Sequence, residues 1–314
     1  MGNRKIIFAQ KQSAGDILTL TKPIADFAFA YPDIPIDVRS PCPAVWENNP
    51  YLTPLDEKDY TVEYYPIEYG RAGTGINVTG WRGQHWTVTY HEDIEEQTGL
   101  EFPMTGIKPE LFLSEDEKIW VNQVQVEFGW MGPFWLINAG WKSDNELKYY
   151  HRWQEVADLF NEHFRGSVRL VQIGHGRATH PKLEGVYDLV GKTDLRQLIR
   201  LGYWAHGTIG PLSFQFVMSA AFEQPHVVVA AGKEDVRWHL YPHGRYMYTN
   251  GALECCKWGG CWKGGKKENC VDLMPGGYPR CFDLIKPYQI VDNVVMYYEG
   301  GVLSSGKRKM EWKC

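Results

Sequence analysis

Five of the seven cysteines in this 314-residue chain, Cys255, Cys256, Cys261, Cys270 and Cys281, fall in one stretch near its end. Counted from Cys256, the gaps are four, eight and ten residues. Four thiolates fill the tetrahedral shell of a structural zinc or of a rubredoxin-like iron. The spacing is not the paired CxxC of common zinc motifs, so it does not choose between Cys255 and Cys256, or between zinc and iron. Gly259, Gly260, Gly264 and Gly265 permit the tight turns a metal knuckle needs. Buried or free thiols, a disulfide knot and a catalytic thiol are the competing readings. No Cys–His pairing suggests the last, and clustered cysteines in a reducing compartment more often bind metal than each other. The cluster points to a structural metal, with Cys42 and Cys314 as bystanders.

Other segments carry residue types that suit anionic chemistry. In "AGDILTL" (Ala14–Leu20), Asp16 stands where a first strand hands over to a first helix, the edge at which open α/β sheets bind ligands. An Asp there also serves as an ordinary helix cap. "NAGWKSDNELKYYHRW" (Asn138–Trp153) carries Lys142 and Lys148 in a loop after a strand, where a lysine can meet a phosphate or simply be solvated. In "GTIGPLSFQFVMSAA" (Gly207–Ala221) the turn Gly210, Pro211, Leu212, Ser213 opens a helix, whose free N–H groups and dipole make an anion site. Pro near a helix start is equally plain punctuation. "YDLVGKTDLRQL" (Tyr187–Leu198) reads as strand, turn and helix, with Gly191 at the turn and Thr193 able to cap the helix.

The elements around these residues alternate. "RKIIFAQ" reads as a strand, "ILTLTKPIADFAFAYP" as a helix stopping at Pro32, and "IPIDVRS" as a strand, an order that favours a parallel sheet. Residues 60–130 are aromatic-rich and irregular, with the glycine-rich "EYGRAGTGINVTGWRGQHWTVTY" and a short helix expected at "IEEQTGL". A second alternation starts near Gly132. Strands are expected at "GPFWLINAG", "SVRLVQIG" (ending at Gly174), "HGTIG" and "PHVVVAAG". Helices are expected at "YYHRWQEVADLFNEHF", "LRQLIRLGYWA" and "SFQFVMSAAFE". Two Rossmann-like α/β halves meeting near residues 129–133 fit this order.

Composition bounds the function classes. Hydrophobic content of 44% and charged content of 23% are those of an ordinary globular protein. A formal net charge of −5 gives no global footprint for nucleic acid. The basic patches Lys257, Lys263, Lys266, Lys267 and Gly306–Lys309 read as solvated surface and tail. The N-terminus lacks the apolar region of a signal peptide. No run reaches the ~18–20 apolar residues of a membrane span, and the chain reads as cytoplasmic.

Together "GDILTLTKPIADFAFAYP", "WKSDNELKYYHRW", "YDLVGKTDLRQLIRL" and "GTIGPLSFQFVMSAA" occur in the order seen in family 9 glycosyltransferases, the ADP-heptose:lipopolysaccharide heptosyltransferases. The chain resembles that family over roughly residues 5–300. "DLVGKTDLRQL" carries the resemblance furthest. In the last segment Ser213, Phe214 and Gln215 stand where the family usually has a His or Asp. The resemblance implies an α/β GT-B fold of two Rossmann-like domains facing across a cleft. The acceptor domain would be 1–130 and the nucleotide-sugar domain 131–300, with a Cys-rich finger at 250–285 and a basic tail at 301–314. It implies inverting sugar transfer from a nucleotide-sugar without a catalytic metal. Asp16 would be the general base. Lys148 and the Gly210, Pro211, Leu212, Ser213 turn would meet the pyrophosphate, with Gly174, Gly191 and Thr193 as further donor contacts. A branch resembling the bacterial heptosyltransferases that modify autotransporter proteins carries a four-cysteine iron finger, and "CCKWGGCWK" looks like that insertion. The acceptor would be a glycan, a lipopolysaccharide core or a protein hydroxyl. A glycosyltransferase acting on modified DNA bases, a catalytically inactive nucleotide-sugar-binding protein and a zinc-finger-like adaptor are the alternatives.

Overall fold

Ile6, Ile7 and Phe8 are wholly buried, which only a strand covered on both faces allows. They lie in the middle strand of a small parallel sheet. The computed structural model describes residues 4–68, 83–143, 145–261 and 267–299. Most of the glycine-rich segment (69–82), Lys263, Gly264, Gly265, Lys266 and the basic tail with Cys314 lie outside the described residues.

In the first half, β1 (Lys5–Ala9), α1 (Ala14–Ala30), β2 (Ile36–Arg39) and β3 (Val62–Pro66) are followed by α2 (Trp86–Thr98), α3 (Glu115–Lys118) and α4 (Gln123–Phe128). The sheet order is β2-β1-β3, parallel throughout. The second half begins with β4 (Phe134–Ile137), α5 (Trp153–Phe164), β5 (Arg169–Gln172), β6 (Tyr187–Asp188) and α6 (Leu195–Trp204). It continues with β7 (Gly207–Gly210), α7 (Phe214–Ala221), β8 (His226–Ala231), β9 (Gly244–Tyr248), α8 (Arg280–Asp283) and α9 (Pro287–Tyr298). Its six strands run β6-β5-β4-β7-β8-β9, all parallel. From β4 the chain winds one way to β6, then returns to β7 and winds the other way. The switch between β4 and β7 is where such sheets bind ligands.

The expected strand–helix–strand start and the second alternation fall where the apolar pattern places them. The helix expected at "IEEQTGL" is longer, beginning at Trp86. Its buried face is largely polar, with Thr87, Thr89, His91 and Asp93 beside Tyr90 and Ile94, so an apolar stripe does not announce it. The strands β3 and β9 and the helix α9 are additional. In α9, Pro287 supplies a preset first turn, and Ile290, Val291 and Val294 bury its face.

The two halves share one core. Ile17, Leu18, Leu20, Ile24 and Phe27 of α1 are all fully buried, because the helix is covered by its own sheet on one side and by α7 on the other. Phe8, Leu20, Phe216, Val217 and Leu136 belong to one continuous apolar cluster. A second cluster, including Trp135, Trp153, Phe160 and Val291, lies behind the six-stranded sheet under α5 and α9. Arg196 of α6 reaches across the halves. It is buried, forks onto both carboxylate oxygens of Glu117 at 2.6 Å, and donates to the carbonyls of Ala44 (3.0 Å) and Phe112 (2.7 Å). No helix among the described residues is long and apolar enough to cross a membrane.

Candidate active site

The capping residue of α1 is Ser13, with Asp16 in the first turn. The Asp16 Oδ2 accepts from the Ser13 backbone N–H (3.1 Å) and from its hydroxyl (2.6 Å). Asp16 therefore does help cap the helix, but both bonds fall on one oxygen, and Oδ1 carries none among the described residues. The carboxylate is 7% exposed. Burial pushes its pKa up and the Ser13 bonds oppose this; Lys148 also pulls it down while Glu234 adds to the rise.

Those last two groups come from the other half. Lys148 sits in a short 3-10 turn (Glu146–Lys148) after β4, and Glu234 follows β8. Lys148 Nζ and Glu234 Oε1 pair at 3.0 Å. Lys233 Nζ lies 3.6 Å from the same oxygen and donates to Asn145 Oδ1 at 2.6 Å. Lys148, Lys233, Glu234 and Leu212 line one recess. Burial alone would raise the Glu234 carboxyl, but Lys148, Lys233 and His239 overrule it and hold it at about 2. Burial pushes the Lys233 ammonium down, against the pull of Glu234. His239, facing Glu234 at 3.8 Å, is pushed down to about 3 by burial.

The turn at Gly210–Ser213 joins β7 to α7 beside this recess, and Gly15 packs 3.6 Å from the Phe214 backbone, measured from where its Cβ would be. The two helix N-termini thus abut. Gln215 ties the turn together: its Nε2 donates to the Pro211 carbonyl (2.7 Å) and its Oε1 accepts from Asn138 (3.2 Å). A methyl at Gly210 would meet Gln215 Nε2 at 2.6 Å and the Asn138 carbonyl at 3.0 Å, so a larger residue there would displace the Gln215 side chain. Across the junction, Thr19 Oγ1 and the Tyr241 hydroxyl lie 3.2 Å apart, and the rings of Trp86 and His239 are 4.2 Å apart.

The structure therefore brings together Asp16, Lys148 and the β7–α7 turn. It sets Gly174, Gly191 and Thr193 elsewhere on the same sheet edge, beyond β4. Gly191 donates to the Gly174 carbonyl at 2.9 Å and has φ +70°, with Gly176 packed against it. A methyl at Gly174 would strike the His180 ring at 1.9 Å. Thr193 does not cap α6. The cap is Asp194, which accepts from the Gln197 N–H at 2.7 Å while Gln197 Oε1 answers its own N–H at 2.9 Å; a carboxylate one residue later completes a reciprocal box that Thr193 cannot. Lys142 is exposed and stays out of the recess. Lys233, Glu234 and Asn145 are not singled out by the sequence, and Gln215 is marked there only as a departure from the family pattern. "GKED" after a buried strand was the available signal, and it reads as a solvated turn.

Cys255, Cys256, Cys261, Cys270 and Cys281 line a single cavity with Gly232, and all five are free thiols. Cys42 is not among its lining residues. Cys256 is the buried member, whereas Cys255 is half-exposed. Five thiols in one lining, which Lys233 and Asp272 share, suit a soft structural metal. Among the described residues, no three side chains are drawn into a ligand shell. The cavity backs directly onto the recess. The Cys261 N–H donates to the Gly232 carbonyl at 3.0 Å, a methyl at Gly232 would stand 3.1 Å from Cys256 Sγ, and Asn250 Nδ2 holds the Glu234 carbonyl at 2.9 Å.

No protein-family model matches the chain, and no curated protein matches it in sequence. Solved structures do. A family 9 glycosyltransferase from Veillonella parvula superposes with a TM-score of 0.64 at 15% identity, covering 93% of this chain and 96% of the other. The dodecameric iron-containing heptosyltransferase TibC, in complex with ADP-D-β-D-heptose, gives 0.67 at 15% identity over 95% of this chain and 76% of its own; TibC comes from enterotoxigenic E. coli. The E. coli ADP-heptose lipopolysaccharide heptosyltransferase II gives 0.62 at 14% identity over 93% and 97%. The chain has the GT-B fold of these proteins, two parallel α/β halves meeting at the carboxyl edges of their sheets.

Proposed function

We propose that the chain is an inverting glycosyltransferase that moves a heptose-like sugar from an ADP-linked donor onto a hydroxyl of a glycan, a lipopolysaccharide core or a protein. The observation that carries this reading is Asp16: a buried carboxylate with one uncommitted oxygen, facing the cation Lys148 across the junction of two α/β halves. The likeness to heptosyltransferases supports the donor class. The first half (1–130) takes the acceptor and the second (131–300) the donor. The acceptor oxygen attacks the anomeric carbon from the face opposite the leaving group, and the bond to the β-phosphate oxygen breaks. Asp16 accepts the hydroxyl proton. Lys148 and the N–H groups of Leu212 and Ser213 in the Gly210–Ser213 turn meet the charge that grows on the departing diphosphate, with Gly174, Gly191 and Thr193 along the same edge for the rest of the donor. Attack from the opposite face inverts the anomeric centre.

Cys261, Cys270, Cys281 and either Cys255 or Cys256 would hold a zinc or iron, whose role would be structural: it would fix the loop behind the recess and take no part in the transfer.

Thermal shift against a panel of ADP-, UDP- and GDP-linked sugars tests the donor. Binding at a hundredfold excess over Kd stabilises by about 2.7 kcal/mol, so an ADP-linked sugar raises Tm and the others do not. Release of ADP on adding acceptor completes the case. Stabilisation without ADP release favours an inactive nucleotide-sugar-binding protein, and a flat response to every donor refutes both.

A further inference from the structure

Two ammonium groups and one carboxylate share the recess. Lys148 and Lys233 both approach Glu234 Oε1, at 3.0 and 3.6 Å, while Glu234 Oε2 has no hydrogen-bond partner among the described residues. All three side chains are largely shielded, at 23%, 12% and 12% exposed. Asp235 is paired with Arg237, and Asp16, bonded to Ser13 through Oδ2, acts on Lys148 only through space. Two shielded ammonium groups thus share a single carboxylate oxygen. An entering anion would give each a partner of its own. Glu234 is poorly satisfied for a structural carboxylate, since a buried acceptor left without a donor forfeits stability.

Building on the reading of the site as one for a nucleoside diphosphate-linked donor, we infer that Lys148 and Lys233 form a two-cation clamp for the diphosphate, and that Glu234 is its built-in competitor. In the free protein the carboxylate keeps both ammonium groups aimed into the recess. When the donor enters, phosphate oxygens take over the contacts to Lys148 and Lys233. When the sugar has left, Glu234 recaptures the two lysines and helps expel the nucleoside diphosphate. A site that gripped the diphosphate with two uncontested cations would bind substrate and product alike and gain nothing in turnover.

This assigns Lys233 as a binding residue and Glu234 as a positioning residue, and it makes a prediction of sign. A carboxylate with a merely structural role would weaken anion binding when replaced. A competitor would strengthen it. The experiment measures the binding of inorganic pyrophosphate and of ADP to the full-length protein by calorimetry, for wild type, Glu234→Gln and Lys233→Met. Glu234→Gln is expected to bind both roughly tenfold more tightly, and Lys233→Met roughly tenfold more weakly. In steady state Glu234→Gln should show stronger ADP inhibition and a lower kcat with a lower KM, as slow product release demands. Unchanged or weaker pyrophosphate binding by Glu234→Gln overturns the competitor role. If that variant does not fold, Lys233→Met decides: wild-type affinity for pyrophosphate refutes the clamp, and weakened affinity with an unchanged melting temperature supports it. Wild-type protein that binds pyrophosphate but no nucleoside diphosphate sinks the donor reading alone, leaving the clamp to stand on the sign of the Glu234→Gln effect.

Discussion

Replacing Asp16 with Asn tests the proposed chemistry with little damage to the fold. The Asn side-chain oxygen can still accept from the Ser13 N–H, the bond that Oδ2 makes at 3.1 Å, so the start of α1 keeps its first-turn support. What is lost is the basic oxygen. General-base catalysis contributes about 10²–10⁴ in rate, roughly 2.7–5.4 kcal/mol of barrier. Single-turnover release of ADP should therefore slow by that factor, while ADP affinity by calorimetry changes little. The pH profile gives a second check. Burial raises the Asp16 pKa, so the acid limb of kcat/KM should lie above the ordinary aspartate range, with activity falling as pH drops through the raised value. For stability the sign is opposite. A carboxyl raised on folding destabilises the native state where it is ionised, and that cost disappears as pH falls through its folded pKa. The Asn variant should lack both the limb and this stability term. Full activity in the Asn variant, or an acid limb that survives the substitution, refutes the assignment.

Two further outcomes follow from residues away from the base. Arg196→Ala breaks a shielded fork to Glu117 and strands two carbonyls, which should cost about 3 kcal/mol and roughly 4–5 °C in Tm; Arg196→Lys should recover less than half, because an ammonium cannot span both carboxylate oxygens. A Tm unchanged by calorimetry would show that the fork contributes nothing. Elemental analysis of purified protein should find about one zinc or iron per chain, lost in Cys261→Ser together with some thermal stability and retained in Cys42→Ser; folded, active, metal-free protein with residues 255–261 and 270–281 ordered would overturn the finger.

The architecture was legible wherever burial and periodicity agree. "IIF", "FWLI" and "HVVVAA" are apolar runs that become central parallel strands, and the Trp153–Phe164 pattern is an amphipathic stripe. Trp86–Thr98 was half hidden because threonine, histidine and aspartate fill its buried face, and α9 because its valines and isoleucine read as strand. Asp16 and Lys148 could be singled out since each follows a recognisable strand end. The partners that give them meaning could not. Lys233 and Glu234 are charged residues in a short turn, and sequence spacing places them 85 residues or more from Lys148. Only the return of the chain to β7 and β8, alongside β4, makes them neighbours. Thr193 shows the opposite error: a plausible cap by type, displaced because the adjacent Asp194 has the better-placed oxygen.

The core that runs from Phe8 through α1 to Phe216 and Leu136 also limits how such a protein can evolve. Proteins of two α/β halves invite recombination, one half traded for another as a cassette. Here the helix that presents Asp16 is packed between its own sheet and α7 of the other half, so a chain severed near residue 130 would turn Ile17, Leu20 and Ile24 toward water on one fragment and Phe216 and Val217 on the other. Neither piece would be a module. Such a fold changes by rewriting loops around a fixed joint rather than by exchanging halves.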